Sequence, residues 1–386
     1  MNQLGLGLVL VAIAGGGFAY AGYPLILWLV TRGRRAALPV DAREWPMLSI
    51  TVPAYNEERT IAATIERVLQ LDYPADRRQV IVVSDASTDR TDEIVRSYAA
   101  RGVELVRLPQ RAGKSAAENA ARSHLRGDIV VNTDASVRIE PGSLKPLVAV
   151  FDDPSIGVAS GRDVSEARST SDANAGESGY VGYEMWVRDL ETLAGGIVGA
   201  SGCFYASRKP LHMEMVPEAL SRDFAAPLIA REHGFRTVSV PRATCVVPRQ
   251  ASVRREYRRK VRTMTRGLET LFYKRHLLNP WRYGRFALML WSHKLLRWLV
   301  PWAALLGLAG VVVSALDGAW WGVAGVVLAV AGFAAAIVAW RAPEDRQLPR
   351  IVTTPAYVFW GLLAGLHAWI NALRGEVNSV WEPTRR

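Results

Sequence analysis

The sequence predicts an α/β domain built on a doubly wound, mostly parallel sheet and joined to transmembrane helices. Two observations predict this. From residue 48 onward, short strand-like apolar runs alternate with segments of helical apolar spacing. Four long runs without formal charge frame that polar stretch, at 4–30, 298–316, 318–340 and 351–373.

The α/β elements follow in order. Residues 48–53 form a buried strand, and 58–71 form a helix with apolar positions at Ile61, Ile65, Val68 and Leu69. Residues 80–83 give a second strand and 91–100 a second helix. A third strand spans 103–108, a third helix 115–125 and a fourth strand 129–132. Regular alternation of this kind places successive strands side by side with helices on both faces.

Each framing run is about as long as the roughly 20 apolar residues that cross a bilayer core. A lone helix satisfies its own backbone groups in lipid. The first run reads as an anchor and not as a cleaved signal, because Met1-Asn2-Gln3 supplies no basic n-region. Arg32, Arg34 and Arg35 follow it directly, which sets its C-terminal end in the cytosol. The expected organisation is an anchor at 1–35, a cytosolic domain at 45–250, basic interfacial helices at 251–297, spans at 298–373 and a tail at 374–386. Such a chain belongs in a cell membrane with several passes. Three final spans would put the tail outside, whereas Arg374, Arg385 and Arg386 favour the inside. Either one run is re-entrant, or residues 286–298 enter the bilayer.

The 386 residues leave room for one soluble domain and a small helical bundle. The net charge of +11, from 47 Lys and Arg against 36 Asp and Glu, favours anionic lipid head groups as a partner over nucleic acid. Cys203 and Cys245 are the only cysteines, so no disulfide framework is expected, in keeping with a cytosolic domain.

Ligands of open α/β sheets bind beyond the carboxyl ends of the strands. Three strand ends here carry a carboxylate: 52–58 (VPAYNEE), 84–89 (SDASTD) and 133–136 (TDAS). No GxGxxG follows the first strand, which argues against a nicotinamide enzyme. His124, His212, His233 and His293 show no metal-ligand spacing.

In order, VPAYNEE, Asp85 in SDASTD, GKSAAEN at 113–119, TDAS, SGCFYA at 201–206, Ser221-Arg222-Asp223-Phe224 and the basic run 254–266 resemble the motifs of family 2 inverting glycosyltransferases. With its apolar frame the chain is most similar to membrane-integrated members such as cellulose, hyaluronan and poly-N-acetylglucosamine synthases. The resemblance implies a GT-A-type domain, a nucleotide-sugar donor with UDP as the expected nucleotide, a glycan or lipid acceptor, and a β-linked product.

It also implies roles. Pro53, Tyr55, Asn56, Glu57 and Asp85 would hold the base and ribose. Lys114, at a helix start after Gly113, would meet the diphosphate. Asp134 matches the first Asp of the DxD motif that holds Mg²⁺ or Mn²⁺, while Ser136 stands where the second Asp would be. Asp223 ends the TED-like signature and would be the catalytic base. Trp186, Glu191, Gly202, Cys203 and Phe204 fall on the acceptor side, with Tyr183 beside them. The run 249–266 carries seven Arg and one Lys against one Glu. If helical, it presents Arg255, Arg258, Arg259, Arg262 and Arg266 on one face, either to lipid or to the diphosphate. Arg259, Arg262 and Thr263 align with the Gln, Arg and Trp of QxxRW, and only the Arg is kept. The missing Trp weakens the case for processive synthesis, and a processive polysaccharide synthase stays open as an alternative within the same enzyme class. Lys294 and Arg297, flanking Trp298, read as interface anchors. Ser136 keeps open the alternative of a degenerate, non-catalytic nucleotide or glycan binder.

Overall fold

The structure, a computed structural model, describes residues 3–34, 38–39, 41–165, 175–248, 253–343 and 348–376. Arg35, Arg249, Trp381, Arg385 and Arg386 lie outside the described residues.

Among the described residues, eight strands form one sheet: β1 (Leu48–Ala54), β2 (Arg78–Ser84), β3 (Val103–Arg107), β4 (Ile129–Thr133), β5 (Arg138–Ile139), β6 (Ile156–Ser165), β7 (Phe204–Arg208) and β8 (Arg236–Val247). Their order is β3-β2-β1-β4-β7-β6-β8-β5. The expected first four strands form the parallel half. β7 runs antiparallel to both β4 and β6, β8 is parallel to β6, and β5 pairs antiparallel with β8. The sheet is therefore mixed, with its parallel order concentrated where the sequence alternates most regularly.

β1 and β2 are buried along nearly their whole length, as parallel strands covered on both faces must be. Ile50, Val52, Val80, Val82 and Val131 pack with Ile61 and Ile65 on one side. Ile81, Val83 and Val130 pack with Ala117 and Ala121 on the other.

The chain steps from β1 to β2 to β3 in one direction and then returns to place β4 on the opposite side of β1. The switch point thus lies between the carboxyl ends of β1 and β4, where a ligand crevice forms. Pro53 helps to open it. The β1–β4 register ends at Thr51↔Asn132, so the missing N–H of Pro53 falls where no β4 partner remains.

Among the described residues, four helices are long and apolar enough to cross a membrane: Gln3–Thr31, Arg285–Leu316, Trp320–Arg341 and Arg350–Arg374. The second begins earlier than expected, because residues 285–295 continue directly into 296–316. The first packs against the second at close range. A Cβ on Gly5 would lie 2.9 Å from the Gly310 carbonyl, so only glycine permits this approach. The basic helix Val253–Tyr273 buries Val261, Leu268 and Leu271 and packs against Arg350–Arg374.

The first apolar helix has a π turn at Phe18–Gly22 just before Pro24. Tyr23 N–H donates to the Phe18 carbonyl, and Pro24 has no N–H to offer. The carbonyls of Ala19 and Tyr20 are thereby freed. The Tyr183 hydroxyl donates to Tyr20 O at 2.7 Å, and Arg297 Nε reaches Ala19 O at 3.4 Å. The gap left by Pro24 is what the helix Ala175–Ala194 and the second apolar helix grip.

Candidate active site

The crevice at the switch point is lined by strand tails tied to one another. Asn56 stands at φ 52°, one of two non-glycine residues with positive φ among those described; the other is Ala86. Its amide group bonds Thr88: Thr88 N donates to Asn56 Oδ1 at 2.8 Å, and Asn56 Nδ2 donates to Thr88 Oγ1 at 3.2 Å. Glu57 N donates to Thr91 Oγ1 at 2.8 Å, and Glu57 is buried. Asn56 and Glu57 therefore join the tails of β1 and β2. Tyr55 is covered by the Arg111 guanidinium, 3.8 Å from the ring centroid.

Asp85 is buried, and both its oxygens accept backbone N–H groups, from Ala112 at 2.7 Å and Gly113 at 2.9 Å. It fixes the loop that launches the helix Lys114–Ala121. Gly113 turns at φ 94°, a conformation that favours glycine, and points Lys114 across the crevice.

There Lys114 Nζ forms an ion pair with Asp134 Oδ1 and donates to the Gly202 carbonyl at 2.7 Å. Gly202 also abuts the catalytic candidate: a Cβ on it would lie 2.9 Å from Asp223 Oδ2. Asp223 enters from the first turn of the helix Arg222–Glu232, and Ser221 Oγ donates to its Oδ1 at 2.5 Å. Lys114, Asp134 and Asp223, three residues far apart in sequence, thus meet around one loop, and all three are half-buried. Burial alone would lower the Lys114 pKa, but the nearby carboxylates of Asp134, Glu118 and Asp223 outweigh it and hold the ammonium charged.

Beneath them lies Glu118, 1% exposed, with neither carboxyl oxygen hydrogen-bonded. Burial raises its pKa, while Lys114 and Arg222 oppose the rise. Arg222 Nε stands 3.8 Å away and is also buried. Arg266 donates to Ser115 Oγ at 2.7 Å and to the Leu220 carbonyl, pinning the basic helix beside Asp223. Arg259 forms two bonds to buried Glu256, at 2.7 and 2.8 Å, and the charge of its guanidinium is felt at the Cys203 thiol. Arg262 is half-buried on the same helix.

The acceptor-side residues separate. Trp186 is 43% exposed. Gly202 and Cys203 border the Lys114–Asp134 pair, and burial pushes the Cys203 thiol well up. Phe204 does not line a groove: it is fully buried in the main core, where the alternation of β7 turns it inward. Glu191 is not open to an acceptor either. It is buried, and its Oε1 takes the Tyr23 hydroxyl and His293 Nδ1, each at 2.6 Å. Arg297 is no interface anchor, since it is buried and donates to Glu184 Oε2 at 2.7 Å.

Among the described residues, no three His, Cys, Asp or Glu side chains gather to hold a metal. Asp134 offers one carboxylate at the crevice. That donor set fits a hard cation which keeps phosphate and water ligands, and does not fit an all-protein cage. The buried place of Glu118 and the meeting of Glu184, Glu191 and His293 escaped sequence reasoning. Of these, only the i, i+7 spacing of Glu184 and Glu191 on one apolar helix face was a readable signal.

A mixed α/β sheet with acidic strand ends around a switch-point crevice is the architecture of a GT-A glycosyltransferase. Residues 49–213 match the family model described as Glycosyl transferase family 2. The chain is similar to a β-monoglucosyldiacylglycerol synthase from Synechocystis sp., with 29% identity over 40% of this chain and 33% of that protein. It is also similar to an N-acetylglucosaminyltransferase from Rhizobium meliloti, 24% identical over 90% of this chain and 83% of that one. Its match to the first of these thus spans about a third of that relative's length. A solved mannosyltransferase from Pyrobaculum calidifontis, in complex with GDP-Man and Mn²⁺, superposes with a TM-score of 0.73 at 24% identity, covering 96% of this chain and 99% of that one. That likeness establishes the fold.

Proposed function

We propose that this chain is an inverting glycosyltransferase that moves a sugar from a nucleotide-activated donor, by first choice a UDP-sugar, to a glycan or lipid-linked acceptor, forming a β-linkage. The observation that carries this reading is the meeting of Lys114, Asp134 and Asp223 around Gly202 at the switch point. Asp223 takes the proton of the acceptor hydroxyl as its oxygen attacks the anomeric carbon. The bond from that carbon to the diphosphate breaks, and the diphosphate leaves beside the Lys114 ammonium, which meets the developing charge. Asp134 would hold Mg²⁺ or Mn²⁺, which neutralises donor phosphate when bound. The strand tails holding Tyr55, Asn56, Glu57 and Asp85 form the wall for base and ribose. Arg259 and Arg262 extend the cationic side of the crevice.

The four apolar helices seat the enzyme in a cell membrane with the GT-A domain on the cytosolic face, and the basic helix Val253–Tyr273 lies along anionic lipid head groups. On this reading the catalytic domain occupies 45–250, and the C-terminal apolar helices run from Arg285 to Arg374. Thr263 is exposed on the basic helix and offers no ring for a growing chain, which favours single additions over processive synthesis.

Nucleotide release by the purified full chain, over a panel of UDP- and GDP-sugars with and without membrane lipid extract, tests the reading. Release from one donor, absent in Asp223→Asn, is expected. Equal release by that variant would remove Asp223 as the base, and no release with any donor would leave the non-catalytic binder as the reading.

A further inference from the structure

A second buried cluster lies away from the crevice, where the helix Ala175–Ala194 meets the first two apolar helices. His293 is its centre, and its side chain is 1% exposed. Its Nδ1 is 2.6 Å from Glu191 Oε1 and its Nε2 is 2.8 Å from Glu184 Oε1. Carboxylates only accept hydrogen bonds, so the doubly protonated ring satisfies both contacts and the neutral ring satisfies one. The two glutamates, seven residues apart on the same helix, close on the ring like jaws.

The cluster is tied to both apolar helices. Tyr23 OH donates to Glu191 Oε1 at 2.6 Å, and Arg297 Nη1 donates to Glu184 Oε2 at 2.7 Å. Each of those helices carries a π turn here, at Phe18–Gly22 and at Trp291–Leu295, and the second contains His293 and Lys294. A π turn shifts the helix face by one residue and is a frequent mark of function.

The cluster also reaches the crevice through one loop. Arg188 Nε lies 3.7 Å from Glu184 Oε1, and its Nη2 donates to the Ala200 carbonyl at 3.4 Å. Lys294 lies 3.8 Å from the same Glu184 oxygen and packs on Gly199, where a Cβ would come within 2.9 Å of its Nζ. Three residues on, Gly202 receives Lys114 and abuts Asp223.

We propose that His293 is a positioning residue: clamped between Glu184 and Glu191, it holds the Gly199–Gly202 loop, and so the relative placement of Lys114 and Asp223, against the apolar helices. The catalytic meaning of this rests on the glycosyltransferase reading above, but the clamp itself does not. Removing one jaw or the ring leaves buried charge uncompensated, which loosens the group and does not merely open a cavity.

Hydrogen exchange on the full chain in lipid nanodiscs tests it. His293→Gln keeps the size of the side chain and satisfies one jaw. It is expected to speed exchange of amides in 197–203 by about tenfold, with binding of UDP measured alongside. Leu290→Ala, which removes a fully buried side chain from the same region, serves as the packing control. Compared at equal loss of melting temperature, it should leave the 197–203 amides near wild type. Unchanged exchange in His293→Gln, or equal acceleration in both variants, would overturn the proposal. If wild type releases no nucleotide from any donor, the glycosyltransferase reading fails, and the exchange result still decides the clamp.

Discussion

Lys114 and Asp134, twenty residues apart, form an ion pair across the switch point, and the same ammonium bonds the Gly202 carbonyl. The carboxylate that would hold a metal and the cation that would meet the diphosphate are thus already in register. Lys114→Met is expected to weaken nucleoside diphosphate binding about tenfold to a hundredfold, the scale of one hydrogen bond to a charged group. Calorimetry with UDP and Mn²⁺ measures it, and an unchanged affinity would remove Lys114 from the donor site.

Asp223→Asn keeps shape and removes the base. Turnover should fall by about 10²–10⁴ while diphosphate affinity stays near wild type. Turnover within about a factor of ten of wild type would remove Asp223 from its role.

Asp134→Ala should weaken both metal-dependent donor binding and turnover, since Asp134 is the one carboxylate of TDAS. Ser136→Asp should retain activity and tighten metal binding. Activity in excess chelator equal to that with Mn²⁺ would show that no metal is needed.

Asp85→Ala leaves the amides of Ala112 and Gly113 without their acceptor, at about 1–3 kcal/mol. A lowered melting temperature, together with lost donor affinity, is expected. Lost affinity with unchanged melting would mean that Asp85 acts on the nucleotide directly and does not hold the loop.

Glu118 gives a pH dependence. An unfolded Glu ionises near about pH 4.3, whereas burial raises Glu118 in the folded chain. Between the unfolded pKa and the raised folded one the native state therefore binds the extra proton, and stability falls as pH rises through that window. Glu118→Gln should flatten that fall in a series of melting curves from acid to mildly alkaline pH. A slope identical to wild type would show that the carboxyl is ionised in the fold.

By itself the sequence determined the parallel half of the sheet, the four apolar helices and the strand-end carboxylates. These are local properties: apolar period, run length, and turn residues after a strand. Only the tertiary structure decided which polar groups meet. Asp85, legible as a strand-end acid, proves to be bound by two loop amides. Phe204, legible as an aromatic beside the site, is turned into the core by the alternation of β7. His293, without metal-ligand spacing, finds Glu184 and Glu191 across about a hundred residues, and Arg297 finds Glu184. Such meetings depend on how helices cross and where Pro24 frees a carbonyl. Burial then fixes the partners, because a charge removed from water must find its counterpart there.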